Sequence, residues 1–237
     1  MSIKMVLFDL DGTLLPMDQD KFMKAYFGGL ANRLAPLGYE PEKLIKAIWG
    51  GSAAMVKNDG KMTNEDVFWA TFSAIYGKDG RVDEPHFYQY YVEEFDKVKE
   101  SCGYDPKAAV SVRAIKDMGF CVALATNPLF PSIATEKRIS WCGLDHSEFE
   151  LFTAYENSSH CKPNLDYYRE VIGKLGVEAE ECLMVGNDAQ EDMITEQLGM
   201  KVFLITRDLI NKGGEDISRY PHGDFDELLR FVEEINN

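Results

Sequence analysis

Short apolar runs alternate with helical segments through the second half of this 237-residue chain. Four of these runs are predicted to be buried strands, namely residues 120–125, 151–154, 182–185 and 201–205. Three of the intervening helical segments are predicted to end at a glycine, at Gly119, Gly176 and Gly199. Buried strands joined by helices form a parallel sheet that is covered on both faces. The sequence therefore predicts a doubly wound α/β fold.

A further apolar run, Ile3 to Phe8, opens the chain and predicts a first strand that ends at two acidic residues. From about Met17 to Ser101 the apolar residues instead recur at helical spacing. We therefore predict an α/β core domain formed by residues 1–16 and 103–237. An all-helical domain of residues 17–102 is predicted to be inserted directly after the first strand.

The charge balance excludes some partners. Forty acidic residues against 25 basic ones give a net charge of -15, which repels nucleic acids and anionic membrane surfaces. No nucleic-acid or membrane partner is therefore expected. A small anionic substrate stays compatible with this charge, because salt screens distant charges within about 10 Å. The oligomeric state is left open.

The cysteines and the N-terminus indicate a compartment. The five cysteines are odd in number and form no C-x-x-C pair, so neither a disulfide framework nor a zinc knuckle is indicated. The apolar run before Asp9 is too short for a signal peptide or a membrane span. We expect a cytoplasmic protein.

Polar residues cluster where the predicted strands end. Ligands of open parallel sheets bind at the carboxyl ends of the strands. The candidate residues at these ends are Asp9, Asp11, Gly12, Thr126, Asn127, Lys162, Asn187, Asp188 and Asp192. A single acidic residue there is more often a helix cap than a catalytic group. Several converging carboxylates, however, would repel one another unless a cation lay among them, and oxygen ligands favour Mg²⁺.

The run Asp9-Leu10-Asp11-Gly12-Thr13-Leu14 resembles the D-x-D-G-T-L signature of the haloacid dehalogenase superfamily. Three later sites in this sequence resemble the other motifs of that family and occur in the same order. They are Thr126-Asn127, Lys162-Pro163, and Asp188 with Asp192. The helical insert is similar to the C1 cap of the phosphoglycolate phosphatase-like branch. One departure is that Asn187 follows Gly186 where many relatives have an aspartate.

The resemblance implies roles for these residues. Asp9 would be the nucleophile that accepts a phosphoryl group, and Asp11 the general acid and base. Lys162, Thr126, Asn127 and the turn at Gly12 would hold the phosphate. Mg²⁺ would be bound by the Asp9 carboxylate, by the Asp11 position through its main-chain carbonyl and by Asp188. Asn187 and Asp192 are the secondary candidates, and Asp192 could equally be a first-turn acid or a partner of Lys162.

The sequence therefore predicts a Mg²⁺-dependent phosphatase that acts on a small phosphorylated metabolite through an aspartyl phosphate. Asp11 favours phosphoryl transfer over dehalogenation, because expelling a halide needs no proton donor. Two alternatives stay open, a phosphomutase of the beta-phosphoglucomutase type and a noncatalytic phosphate-binding module. Lys21, Lys24 and Arg33 in the insert are weak candidates for substrate selection, since a solvated face explains them as well.

Overall fold

The computed structural model describes residues 2–236, which form an α/β fold with five strands and eight α-helices in those residues. The strands are β1 (Met5–Phe8), β2 (Cys121–Leu124), β3 (Cys182–Gly186), β4 (Lys201–Ile205) and β5 (His222–Gly223). The helices are α1 (Gln19–Leu34), α2 (Pro41–Val56), α3 (Asn64–Tyr76), α4 (Glu84–Glu93), α5 (Pro106–Asp117), α6 (Ser132–Trp141), α7 (Leu165–Leu175) and α8 (Phe225–Asn236).

The five strands form one parallel sheet in the order β2-β1-β3-β4-β5. Successive residues of β1 enter different apolar clusters. Val6 and Phe8 pack with residues of α5 and α8, whereas Met5 and Leu7 pack with residues of α7 on the opposite face. The period of two that a strand imposes therefore buries both faces of the sheet. The predicted doubly wound fold is confirmed.

Three elements differ from the prediction. The expected strand at 151–154 is only a single bridge between Phe152 and Leu124, because the Asn157 side chain binds the main chain at Phe152 and Ala154 and turns it away. The helix expected before Gly199 is a 3-10 helix, Met193–Leu198. Its Thr195 hydroxyl donates to the Asp192 carbonyl and competes with regular helical bonding. The two-residue strand β5 was not predicted.

Helices α1 to α4 and a 3-10 helix, Phe95–Ser101, occupy the segment that was predicted to be helical. The chain enters and leaves this helical segment side by side, because Met17 forms an antiparallel bridge with Cys102. Next to it, the Gly103 amide donates to the Pro16 carbonyl at 2.8 Å. These contacts lie at the boundaries predicted for the insert. That the two parts are separate domains stays a prediction.

Aromatic contacts join the helical segment to the rest of the protein. The ring of Phe22 on α1 lies 6.0 Å from that of Phe130, and Phe95 lies 5.1 Å from Trp141 on α6. Both pairs belong to the larger of the two apolar clusters. Aromatic pairs at such distances contribute about 0.5–1.5 kcal/mol beyond the burial of their area.

None of the helices in residues 2–236 is both long enough and apolar enough to cross a membrane.

The crossing at Gly103 predicts a stability difference between two glycine substitutions. A Cβ at Gly103 would lie 2.7 Å from Cβ of Pro16, a rigid neighbour, whereas a Cβ at Gly28 in α1 meets nothing within 4 Å. We expect Gly103→Ala to lower the free energy of unfolding by about 1–3 kcal/mol. Gly28→Ala should raise it by about 0.5–1 kcal/mol. Urea unfolding checks both values, and an equal effect of the two substitutions would contradict the close crossing.

Candidate active site

Three neighbouring strands deliver the predicted residues to one edge of the sheet. Asp9 follows β1, Thr126 lies two residues after β2, and Asn187 directly follows β3. Ladder hydrogen bonds continue past the strand ends, from the Asp9 amide to Val185 at 2.9 Å and from the Ala125 amide to Phe8 at 2.7 Å. Because β1 lies between β2 and β3, Asp9 stands at the centre of this edge.

A buried lysine joins two of the acidic residues. The Nζ atom of Lys162 lies 2.8 Å from Oδ1 of Asp9 and 2.7 Å from Oδ1 of Asp192. The Lys162 side chain is only 1% exposed. Burial alone would lower the pKa of Lys162, but the carboxylates of Asp192 and Asp9 outweigh it and hold that pKa well above its ordinary value. Lys162 is therefore a permanent cation directly behind Asp9.

Asp192 is placed by the turn that follows β3. Its Oδ2 atom accepts the amide N–H of Asp188 at 3.0 Å, and its other carboxyl oxygen holds Lys162. Burial raises the pKa of Asp192, and the Lys162 ammonium opposes that rise. Of the two interpretations that the sequence allowed, the structure places this residue as the partner of the lysine.

A threonine that the sequence analysis did not single out connects Asp9 to Asn187. The Thr13 Oγ1 atom lies 2.9 Å from Oδ2 of Asp9 and 3.0 Å from Oδ1 of Asn187, and Thr13 is fully buried. A hydroxyl has one proton and donates to one of these oxygens at a time. Its position four residues after Asp9 inside the D-x-D-G-T-L run was the only available signal.

Gly12 lets the turn after β1 approach Asn187. Its φ angle is +90°, and a Cβ there would lie 2.3 Å from Nδ2 of Asn187. That amide nitrogen also donates to the Asp208 carbonyl at 2.6 Å, which directs the amide oxygen toward Thr13 and Asp9. Only glycine permits both this backbone conformation and this contact.

The Asp188 side chain accepts hydrogen bonds from nearby main-chain amides. Its Oδ1 atom accepts the N–H groups of Gln190 at 2.8 Å and Glu191 at 2.9 Å. The Asn187 Oδ1 atom, in contrast, shares the Thr13 hydroxyl with Asp9. Within residues 2–236 no three His, Cys, Asp or Glu side chains come together as a metal-binding group. The Asn187 amide oxygen and main-chain carbonyls are further oxygen donors at this edge.

Asp11 pairs with an arginine that the sequence gave no reason to select. The guanidinium of Arg138, on α6, forms an ion pair with Oδ2 of Asp11. The Arg138 side chain is 1% exposed, lies 4.6 Å from the centroid of the Phe130 ring and donates to Thr135 Oγ1 at 3.2 Å. The other Asp11 oxygen, Oδ1, is buried without a hydrogen-bond partner among the described residues. Burial raises the pKa of Asp11, and the guanidinium opposes the rise.

Thr126 and Asn127 lie at the end of β2. Thr126 is 2% exposed, and its carbonyl accepts hydrogen bonds from the Tyr167 and Thr153 hydroxyls, both at 2.7 Å. The Asn127 Nδ2 atom donates to Glu191 at 3.3 Å, and its Oδ1 is buried without a partner in the part of the chain that the structure describes. Tyr167 and Thr153 thus fix the main chain from which both side chains start.

One cavity of about 360 Å³ opens over this edge. Its floor contains most of the predicted site residues, namely Asp9, Asp11, Thr126, Asn127, Asn187, Asp188 and Asp192. Lys162 lies behind the floor, in contact with Asp9 and Asp192. Residues of helices α1 to α4 form the wall of the cavity opposite this floor. The structure therefore brings residues from across the chain to a single cavity.

The fold and the acidic floor with its buried lysine define a class of hydrolase. The model of the haloacid dehalogenase-like hydrolase family matches residues 3–195, so the chain belongs to this family. Its fold is shared by a solved HAD phosphatase from Thermococcus onnurineus, with a TM-score of 0.59 and 19% identity over 97% of this chain and 98% of the other.

Two relatives are similar to this protein over most of the chain. One is the pyrophosphatase PpaX of Halalkalibacterium halodurans, 25% identical over 86% of this chain and 84% of the relative. The other is the phosphoglycolate phosphatase of Aquifex aeolicus, 25% identical over 85% of this chain and 84% of the relative.

Removing Arg138 should destabilise the protein far more than removing an exposed arginine. Arg138→Met leaves the Asp11 carboxylate without its partner, and we expect a loss of about 3 kcal/mol of unfolding free energy. Arg230 pairs with Glu227 at the surface, so Arg230→Met should cost less than about 0.5 kcal/mol. Adding Asp11→Asn to Arg138→Met should recover part of the loss. Urea unfolding of the four proteins tests this, and equal losses for the two arginine variants would show that the pair is unimportant.

Proposed function

We propose that this chain hydrolyses a phosphomonoester of a small metabolite, with Mg²⁺ as cofactor and an aspartyl phosphate on Asp9 as intermediate. The observation that carries the proposal is the fixed Asp9 carboxylate at the floor of the cavity, held by Lys162 on one oxygen and by Thr13 on the other. The names of the two relatives, a pyrophosphatase and a phosphoglycolate phosphatase, agree with phosphate chemistry.

Asp9 is the proposed nucleophile. The contacts with Lys162 and Thr13 fix the direction of its carboxylate, so that little reorganisation is needed before attack. One carboxyl oxygen forms a bond to phosphorus while the bond from phosphorus to the leaving oxygen breaks. Thr126 and Asn127 stand on the same floor and are proposed to donate to the phosphoryl oxygens.

Asp11 is the proposed general acid and base. Its pKa is raised by burial, so the carboxyl holds a proton more readily than an exposed aspartate. Arg138 fixes one oxygen, which leaves Oδ1 for proton transfer to the leaving oxygen. The same carboxylate then takes a proton from the water that hydrolyses the aspartyl phosphate. Arg138 is thus a positioning residue in this proposal.

The oxygen donors at the floor fit Mg²⁺. Oδ2 of Asp9 and Oδ1 of Asn187 both approach the Thr13 hydroxyl, and hard oxygen ligands are those that Mg²⁺ prefers. We propose that these two side chains and the Asp11 carbonyl hold the ion, with Asp188 as a neighbouring charge. Bound there, Mg²⁺ would neutralise charge that develops on the transferred phosphoryl group.

The helical segment is proposed to act as a cap domain. It forms the wall of the cavity that faces Asp9, so it would exclude water and contact the leaving group. The proposed partner is accordingly a small phosphorylated molecule.

Replacing the nucleophile should abolish turnover. With p-nitrophenyl phosphate and Mg²⁺, Asp9→Asn should lower kcat by roughly 10³-fold or more. The control Asp117→Asn, at the exposed end of α5, should have no effect. Chelation of Mg²⁺ should abolish activity, and added Mg²⁺ should restore it.

Stoichiometric release of inorganic phosphate would separate hydrolysis from phosphoryl transfer to a sugar phosphate. Unchanged activity of Asp9→Asn would refute the proposed covalent mechanism.

Substitutions at the two residues after Gly186 should separate their roles. Asn187→Asp adds a carboxylate beside Asp9 and should lower the Mg²⁺ concentration for half-maximal activity. Asn187→Ala should raise it by roughly tenfold or more. Asp188→Asn retains the oxygen that accepts from Gln190 and Glu191, and it should change the Mg²⁺ requirement only a few-fold. A larger effect of Asp188→Asn than of Asn187→Ala would make Asp188 the ligand.

A further inference from the structure

The wall of the cavity opposite Asp9 is aromatic. All four helices of the helical segment contribute rings to it, among them Tyr26 from α1, Trp49 from α2, Phe68 from α3, and Phe87 and Tyr88 from α4. Most of these rings also pack against one another, as Tyr26 does with Tyr91 at 6.2 Å. Tyr26, Phe68 and Phe87 are buried. Trp49 and Tyr88 also line the cavity, but they are 52% and 55% exposed. Their rings are therefore available to an incoming molecule.

The same wall has no basic residue. Among the described residues of the helical segment that line the cavity, Glu84 is the only charged one. The sequence candidates Lys21, Lys24 and Arg33 are not part of this wall, and two of them have surface acids as partners: Lys21 pairs with Asp18, and Arg33 with Glu93 and Glu94. The weak prediction that they select substrate is therefore not supported.

The charged groups that do reach the cavity beyond its floor are mostly acidic. Burial raises the pKa of Glu84, opposed by Arg81, and it raises the pKa of Glu156, whose carboxylate accepts the backbone N–H of Ser132. The basic group that lines the cavity is Lys212, an exposed residue of the loop after β4, on the side of Asp188. A carboxylate or a second phosphate at the aromatic wall would thus lose part of its hydration without meeting a cation of that wall, which is unfavourable.

We propose that the leaving group of the substrate is an uncharged alcohol that carries an aromatic ring. The inference rests on the proposed phosphatase function and names its substrate class. The phosphate would lie at the acidic floor, and the ring would pack among Trp49, Tyr88 and their neighbours, where each aromatic pair adds about 0.5–1.5 kcal/mol. Glu84 shares Arg81 with Glu65 and Asp66, and the Glu156 carboxylate accepts the N–H and the hydroxyl of Ser132, so both glutamates already have hydrogen-bond donors. A cationic leaving group is the competing class, and phosphocholine represents it in the test.

The test compares four monoesters with the full chain and Mg²⁺: benzyl phosphate, propyl phosphate, phosphoglycolate and phosphocholine. We expect kcat/KM for benzyl phosphate to exceed that for propyl phosphate at least tenfold and that for phosphoglycolate at least a hundredfold. Trp49→Ala should reduce the benzyl-to-propyl ratio several-fold. Tyr104→Ala, an aromatic residue 60% exposed and outside the cavity, is the matched control and should leave the ratio unchanged.

A gain-of-function variant tests the charge argument. Ser52 lines the cavity on α2, and Ser52→Arg would place a cation at the wall. We expect kcat/KM for phosphoglycolate to rise at least tenfold and the preference for benzyl phosphate to fall. No increase for phosphoglycolate in a folded variant would show that missing positive charge is not what excludes it.

The outcomes separate this inference from the proposed function. Asp9-dependent turnover that prefers phosphoglycolate or phosphocholine would overturn the aromatic leaving group and leave the phosphatase intact. Turnover of none of the four esters would overturn the phosphatase itself. Calorimetric titration of the Asp9→Asn protein with benzyl phosphate and with phosphoglycolate measures the same preference without catalysis. Tighter binding of phosphoglycolate there would also overturn the inference.

Discussion

The contact of Lys162 with two buried carboxylates is the interaction on which the arrangement at the strand ends depends. It joins the end of β1, the loop before α7 and the turn after β3, which are far apart in the chain. One ammonium between two carboxylates leaves a net negative charge in a place with little water. Such a group is costly by itself, and a divalent cation would relieve the excess. The buried lysine thus both organises the floor and makes it receptive to positive charge.

The two aspartates of the D-x-D pair face different partners, although only one residue separates them. Asp9 lies between Lys162 and Thr13, whereas Asp11 is turned toward Arg138. Two neighbouring carboxylates in one cavity would otherwise repel each other strongly. Giving each its own cation removes most of that conflict and lets the two carry out different chemical tasks. The division of roles in the proposed mechanism follows from this separation of partners.

Much of the fold was predictable because strands and helices leave a periodic trace in the sequence. The ends of β1 and β3 and the acids beside them follow directly from where apolar runs stop. Arg138 was not predictable, since it lies inside a helix and its partner Asp11 is 127 residues away. Likewise, the sequence favoured Asp188 over Asn187 by charge, and it gave no sign that the Asn187 oxygen contacts the same Thr13 hydroxyl as Asp9. The helical spacing of Phe87 and Tyr91 on α4 predicts that both are core residues. Only the fold shows that they also line the cavity.

The side-by-side crossing of the chain at Pro16 and Gly103 has a consequence for how the protein could be rebuilt. Because these two positions already share a hydrogen bond, a short linker could close the sheet-bearing part on itself without stretching its backbone. Equally, another module whose ends lie equally close could be grafted there in place of the present helices. The strand-end chemistry would then stay constant while its covering surface is exchanged. A single junction of this kind would allow different inserted segments to cover the same site at the strand ends.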